Sequence, residues 1–130
     1  MEFSVKTTKA KDLVDITDKV EELVSECGIS EGICLVYVPH ATAAIIINEF
    51  EPNIKQDFGD VFEKLFPNGN YLHNRIDDNA QAHLKSGFIG PSVVIPVDDG
   101  ALQLGTWQSI ILCEFDGPRE RRVIVKVVGK

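Results

Sequence analysis

Three histidines, His40, His73 and His83, are the side chains of this 130-residue chain best suited to chemistry near neutral pH, and all three lie outside its continuous apolar runs. Imidazole is the commonest neutral ligand for zinc and other late first-row metals, and three such ligands with one open water position make a hydrolytic or Lewis-acid centre. Carboxylates that could orient the rings, hold a harder cation or move protons stand nearby in sequence: Glu49, Asp57, Asp77 and Asp78. No pair has HxH or HExxH spacing, so an ordinary hydrogen-bonded histidine is the competing reading at each position. For Asp77 and Asp78 the competing reading is helix capping. Gly105-Thr106-Trp107-Gln108 and Asp116-Gly117-Pro118-Arg119 set polar side chains beside tight turns, where backbone amides can face an anion, although glycine also simply permits a sharp turn. No Gly-x-Ser-x-Gly elbow is present, and no cysteine has a histidine beside it in sequence.

The elements that must position these residues follow from periodicity. Phe3 and Val5 alternate with polar neighbours as in a half-buried strand. Thr17 is placed to cap a helix in which Val20, Leu23, Val24 and Cys27 recur on one face, with Gly28 as its stop. Residues 33–38 form an apolar run that suits a strand covered on both faces, and residues 43–47 form a second, leaving His40 and Thr42 in the loop between them. Pro52 suits the first position of a second helix carrying Ile54, Phe58, Val61, Phe62 and Leu65, ended by Pro67 and Gly69. His73 lies in an irregular polar segment, and Asp77 or Asp78 can cap a short third helix bearing His83 and Lys85 and running towards Ser86. Strands are expected at 93–97, 101–104, 108–115 and 122–128, separated by turn-forming clusters and joined as an antiparallel meander. The 108–115 strand has apolar side chains of both parities, so one face should meet the core and the other a helix or a second subunit.

Early helices, late strands and no repeating strand-helix-strand alternation argue for an α+β fold in one domain, residues 1–130. Twenty acidic and thirteen basic residues give a formal net charge of -7, which opposes nucleic-acid binding. The basic run at Arg119, Arg121 and Arg122 reads as a solvated strand entrance. There is no apolar stretch long enough for a membrane span and no signal-peptide pattern, so a cytoplasmic location is expected. Cys27, Cys34 and Cys113 are odd in number and set in apolar sequence, as buried reduced thiols are.

Read as words, the segments Val38-Pro39-His40-Ala41-Thr42-Ala43-Ala44, Asn48-Glu49, Asp77-Asp78-Asn79-Ala80-Gln81-Ala82-His83-Leu84-Lys85, Gly90-Pro91-Ser92, Leu104-Gly105-Thr106-Trp107-Gln108 and Glu114-Phe115-Asp116-Gly117-Pro118-Arg119 resemble the YjbQ family, also described as secondary thiamine-phosphate synthases. The resemblance spans nearly the whole chain. It implies a compact α+β subunit that assembles as a homotrimer, with the doubly apolar strand around Trp107 buried in the assembly. It also implies a pocket in which His40, His73, His83 and Asp77 bind a divalent metal, zinc or magnesium. Glu49, Asp78 and Lys85 would then be catalytic, while Thr42, Lys85, Thr106, Gln108 and Arg119 contact substrate phosphate. Where many relatives carry a further histidine, this chain has Gln81. The implied reaction condenses a pyrimidine pyrophosphate with a thiazole phosphate to give thiamine phosphate and pyrophosphate, either as the main activity or as a side activity. A metal-dependent hydrolase, with Glu49 or Asp78 as general base, and a non-catalytic trimeric metabolite- or metal-binding protein are the alternative functions.

Overall fold

The computed structural model describes residues 1–130. Alternating side chains build β1 (Glu2–Lys6), and the short β2 (Asp12–Asp15) precedes α1 (Thr17–Glu26). β3 (Gly32–Tyr37) and β4 (Ala43–Asn48) lead into α2 (Pro52–Leu65); a 3-10 turn at Leu72–Arg75 leads into α3 (Ala80–Ile89). β5 (Ser92–Asp98), β6 (Ala101–Leu102), β7 (Ser109–Glu114) and β8 (Glu120–Gly129) complete the chain. The α+β class expected from the sequence is the class observed. All strand pairs are antiparallel, in a five-stranded sheet ordered β1-β8-β3-β5-β6 and a three-stranded sheet ordered β2-β7-β4.

The late strands are therefore not a meander. Only β5 and β6 pair as sequence neighbours, while β7 and β8 enter different sheets and find early partners. A meander costs the least loop-closure entropy, but two apolar faces must be covered, and exchanging strands between sheets covers both. Val36, Val38, Ile45, Ile95, Ile110, Leu112, Val123 and Val125 meet between the sheets with Val20 and Val24 of α1. On the other face of β7, Ile111 and Cys113 join Leu13, Ala44, Ala82 and Phe115 under Phe58 and Phe62 of α2.

Of the two covers expected for the second face of β7, a helix or a second subunit, the chain uses the helix: α2 and α3 lie over it. Trp107 stands before the strand, in the turn, and is 73% exposed. β3 also differs from expectation, with Cys34 and Val36 buried but Ile33 49% exposed, because one face of the five-stranded sheet carries no helix.

Helix ends show where local chemistry decided. Pro52 does begin α2, and Glu51 caps it by accepting from the Asn53 N–H at 2.7 Å and the Ile54 N–H at 3.3 Å. The other caps differ from expectation. Ile16 occupies the capping position of α1, and Thr17 Oγ1 instead accepts the Ile110 N–H at 2.8 Å, tying helix to strand. Asn79, not Asp77 or Asp78, precedes α3, and the helix continues past Ser86 to Ile89 before Gly90 turns the chain with φ at 102°.

Candidate active site

The floor of the site is an ion pair between Glu114, at the end of β7, and Arg121, near the start of β8; their side chains are 0% and 1% exposed. Arg121 shares strand parity with Val123 and Val125, so β8 carries it inward while Arg122 points out. Arg121 Nε donates to both Glu114 oxygens at 3.0 and 3.1 Å, and its terminal nitrogen donates to Thr42 O at 3.0 Å and Thr42 Oγ1 at 2.9 Å. Glu114 also accepts from Thr7 Oγ1 at 2.7 Å and from the Asp116 N–H at 3.1 Å. Burial alone would push this carboxyl up, yet Arg121, Thr7 and the Asp116 amide hold it below the usual value. Gly117 allows the next turn: a Cβ there would lie 2.4 Å from the Lys9 carbonyl oxygen and 2.9 Å from the Glu114 side chain.

On this floor stands the β3–β4 loop. His40 Nε2 accepts the Arg122 N–H at 2.9 Å, so the neutral ring carries its proton on Nδ1. Burial, and then Arg121, hold the His40 pKa below its ordinary value of 6.5. His73 reaches the opposite tautomer through a relay. Arg119 donates to Asp116 at 3.1 Å, and Asp116 accepts the Asn79 amide N–H at 2.9 Å. Because a carboxylate only accepts, Asn79 must turn Oδ1 to His73 Nε2, 2.9 Å away. His73 therefore holds its proton on Nε2 and leaves Nδ1 bare. Its ring meets His83 edge to face with centroids 4.5 Å apart.

His83 is where two open cavities meet. One, of about 500 Å³, is lined by His40, His83, Ser86, Gly87 and the prolines Pro39 and Pro91; the other is lined by His73, His83 and Tyr71. Ser86 donates to Ala43 O at 2.7 Å, docking α3 on β4 and setting the first cavity's width.

The remaining sequence candidates scatter. Lys85 lies two residues beyond His83, about 200° around the helix at 100° per residue, and lines a different cavity. The reading that one helix presents His83 and Lys85 to one ligand is thus corrected. Glu49, Thr106 and Gln108 sit at the far end of the three-stranded sheet, where Asn48 pairs with Ser109, whereas Thr42 adjoins the end where Ala43 pairs with Glu114. Five residue steps of β4 separate the ends, about 17 Å at strand rise. Asp77 is exposed, and Asp78 is an exposed side chain at the edge of a small cavity beside Asn79 and Asp116.

The residues do not fit a three-histidine metal centre within one chain. His40 spends its Nε2 lone pair on a backbone amide, only His73 and His83 touch, and no three His, Cys, Asp or Glu side chains cluster as metal ligands. Sequence reasoning missed Arg121, Asn79 and Asp116 as organisers of the site. The parity of Arg121 with Val123 and Val125 was a signal for the first; for the other two the only signal was their place inside family-like segments.

A family model described as UPF0047 protein YjbQ-like matches residues 1–130. A UPF0047 protein of Archaeoglobus fulgidus is 51% identical, over 98% of this chain and 100% of its own length, and YugU of Bacillus subtilis is 44% identical over 98% and 97%. A YbjQ-like protein of unknown function from Sulfolobus solfataricus has the same fold, with TM-score 0.97 and 45% identity over 100% of this chain and 96% of that one. A hypothetical protein from Aeropyrum pernix gives 0.96 and 46% over 100% and 98%. With both sequence and fold matched from end to end, the chain belongs to the YjbQ-like UPF0047 family.

Proposed function

We propose that this chain is an enzyme acting on a phosphorylated small molecule in the His40–His83 cavity, and that condensation of a pyrimidine pyrophosphate with a thiazole phosphate is the reaction to test first. The observation that carries this reading is two imidazoles held in opposite tautomers on either side of His83. A departing pyrophosphate gains negative charge on its bridging oxygen, and a positioned donor there lowers the barrier. His40 Nδ1–H is such a donor, and it stays neutral near pH 7 because protonating Nε2 would set it against the Arg122 N–H. His83 has no side-chain hydrogen bond in the chain and is free to deliver a proton to the leaving oxygen. The new bond forms at a thiazole nitrogen that carries no hydrogen, so no proton is released, and His73 acts by holding the His83 ring it meets edge to face. Arg119, Asp116 and Asn79 act by holding His73.

The test is an assay of thiamine phosphate and released pyrophosphate, with magnesium present, on the parent and on His83→Ala. Turnover by the parent and its loss in a variant with an unchanged melting curve is the expected result. No turnover by the parent, or full turnover by a folded His83→Ala protein, would remove the reading.

We also propose a homotrimer, supported by the face of the larger sheet that no helix covers. Ile33, Val94 and Val128 project there at 49%, 56% and 57% exposure on three neighbouring strands, with Tyr37 beside them. Light scattering on dilute protein tests it, and a mass of one chain, 14.4 kDa, would overturn it. No helix is long and apolar enough to cross a membrane.

A further inference from the structure

α3 has a second chemical face. Opposite His83, the Lys85 side chain is 1% exposed and ends in a separate cavity of about 480 Å³. Its Nζ donates to Glu63 Oε1 of α2 at 2.6 Å and lies 5.4 Å from the centre of the Phe115 ring. Phe62 meets Phe115 edge-on at 5.5 Å, so one wall is apolar. The rim carries Lys9, Lys11 and Lys55. Four of the chain's nine lysines thus border one cavity. Lys11 and Lys55 are engaged by Glu63 and Asp12, and Lys9 forms no ion pair.

We propose that this cavity is a second reactive site, in which Lys85 forms an imine with a small aldehyde or ketone bearing a phosphate or carboxylate group. The amine adds to the carbonyl carbon to give a carbinolamine. Both amine hydrogens then leave with the carbonyl oxygen as water, carried from nitrogen to oxygen by the Glu63 carboxylate, and no oxidant or reductant is needed. The anionic group of the ligand is held by the rim lysines, with Lys9 needing no carboxylate displaced. The Lys11–Glu63 pair over Lys85 is 46% and 42% exposed, and solvent-exposed pairs of this kind are weak enough to part as a ligand enters.

Burial, opposed by Glu63 and assisted by Lys11, holds the Lys85 pKa below its ordinary value, which favours the free amine that the addition needs. The other charged groups facing it are Asp60 and Lys55 of α2, Asp12 of β2 and Glu114 of β7, the last already paired with Arg121.

The experiment traps the imine. Pyridoxal 5′-phosphate and glyoxylate are each incubated with the full chain, reduced with cyanoborohydride, and the adduct is located by peptide mass spectrometry. The expected result is one saturable adduct per chain on Lys85, lost in a folded Lys85→Arg variant. In Glu63→Gln, removal of the carboxylate that raises the Lys85 pKa moves the onset of labelling to lower pH. Labels spread over surface lysines, no Lys85 adduct with either probe, or a pH profile unchanged by Glu63→Gln would each overturn the proposal. Because the histidine cavity takes no part, His83→Ala should label like the parent, which separates this result from the fate of the thiamine-phosphate reading.

Discussion

Replacing Arg121 by methionine should destabilise the fold by about 3 to 5 kcal/mol and reverse its response to pH. The side chains of Arg121 and Glu114 are 1% and 0% exposed, and the substitution keeps most of the apolar volume while removing the only cation paired with Glu114. A carboxylate left buried without its partner costs about 3 to 5 kcal/mol. For a chain of this size each kcal/mol lowers the melting temperature by about 3 to 5 °C, so a fall of roughly 10 to 20 °C is expected. In the parent, Glu114 is held below its ordinary pKa of 4.5. Its paired state therefore adds stability that is present above that value and is lost as pH falls through the lower folded-state value. In Arg121→Met, desolvation is no longer opposed by a cation and the folded-state value rises above 4.5. The native state then holds a proton that the unfolded chain has released, so this group's contribution weakens as pH rises from about 4.5 towards 7. Urea unfolding of parent and variant at several pH values in that window measures both effects. A variant within about 1 kcal/mol of the parent, with a parallel pH dependence, would refute the assignment of Glu114–Arg121 as the charged floor of the site. The double variant Glu114→Leu/Arg121→Met should recover much of the loss, because no charge is then left unpaired.

Gly117→Ala should cost about 2 kcal/mol or more, since its Cβ would meet the Lys9 carbonyl oxygen at 2.4 Å, and a chemical-denaturation midpoint equal to the parent's would contradict the close approach. Asp116→Leu removes the group that orients Asn79, so nitrogen NMR of the His73 ring should move from the Nε2–H form towards a mixture, whereas an unshifted signal would remove Asp116 from the relay. Burial pushes Cys34 to about 11 and Cys113 to about 12, so at pH 8 iodoacetamide should label Cys27, half-buried, well before the other two; equal labelling of the native protein would contradict their burial. Trp107→Ala should leave the stability of the single chain within about 1 kcal/mol of the parent, because the ring is 73% exposed, and a larger loss in protein diluted to the monomer would contradict that exposure.

Local signals in the sequence were enough for the class of fold and for most of its elements. The spacing of Val20, Leu23 and Val24 is the spacing of α1, and Pro52 with the recurring Phe58 and Phe62 is the beginning and inner face of α2. Each of these rests on contacts within a few residues, where helix geometry and proline's missing N–H act whatever the rest of the chain does. β2 escaped because four residues that begin with Asp12 and end with Asp15 form a strand only against β7, about a hundred positions later. The same non-locality decided the sheet order, since every late strand was legible but its partner depends on which apolar face is left to cover. At the site, the sequence carried His40, His73 and His83 as residues worth watching, but their tautomers are set by the Arg122 amide and by Asp116 acting through Asn79, groups 82 and 37 positions away from their partners. Arg121 and Lys85 show the limit most directly. Both are cations that composition assigns to the surface, and both are buried because strand parity or helix phase turned them inward to Glu114 and Glu63, carboxylates that only the folded chain brings within hydrogen-bonding distance.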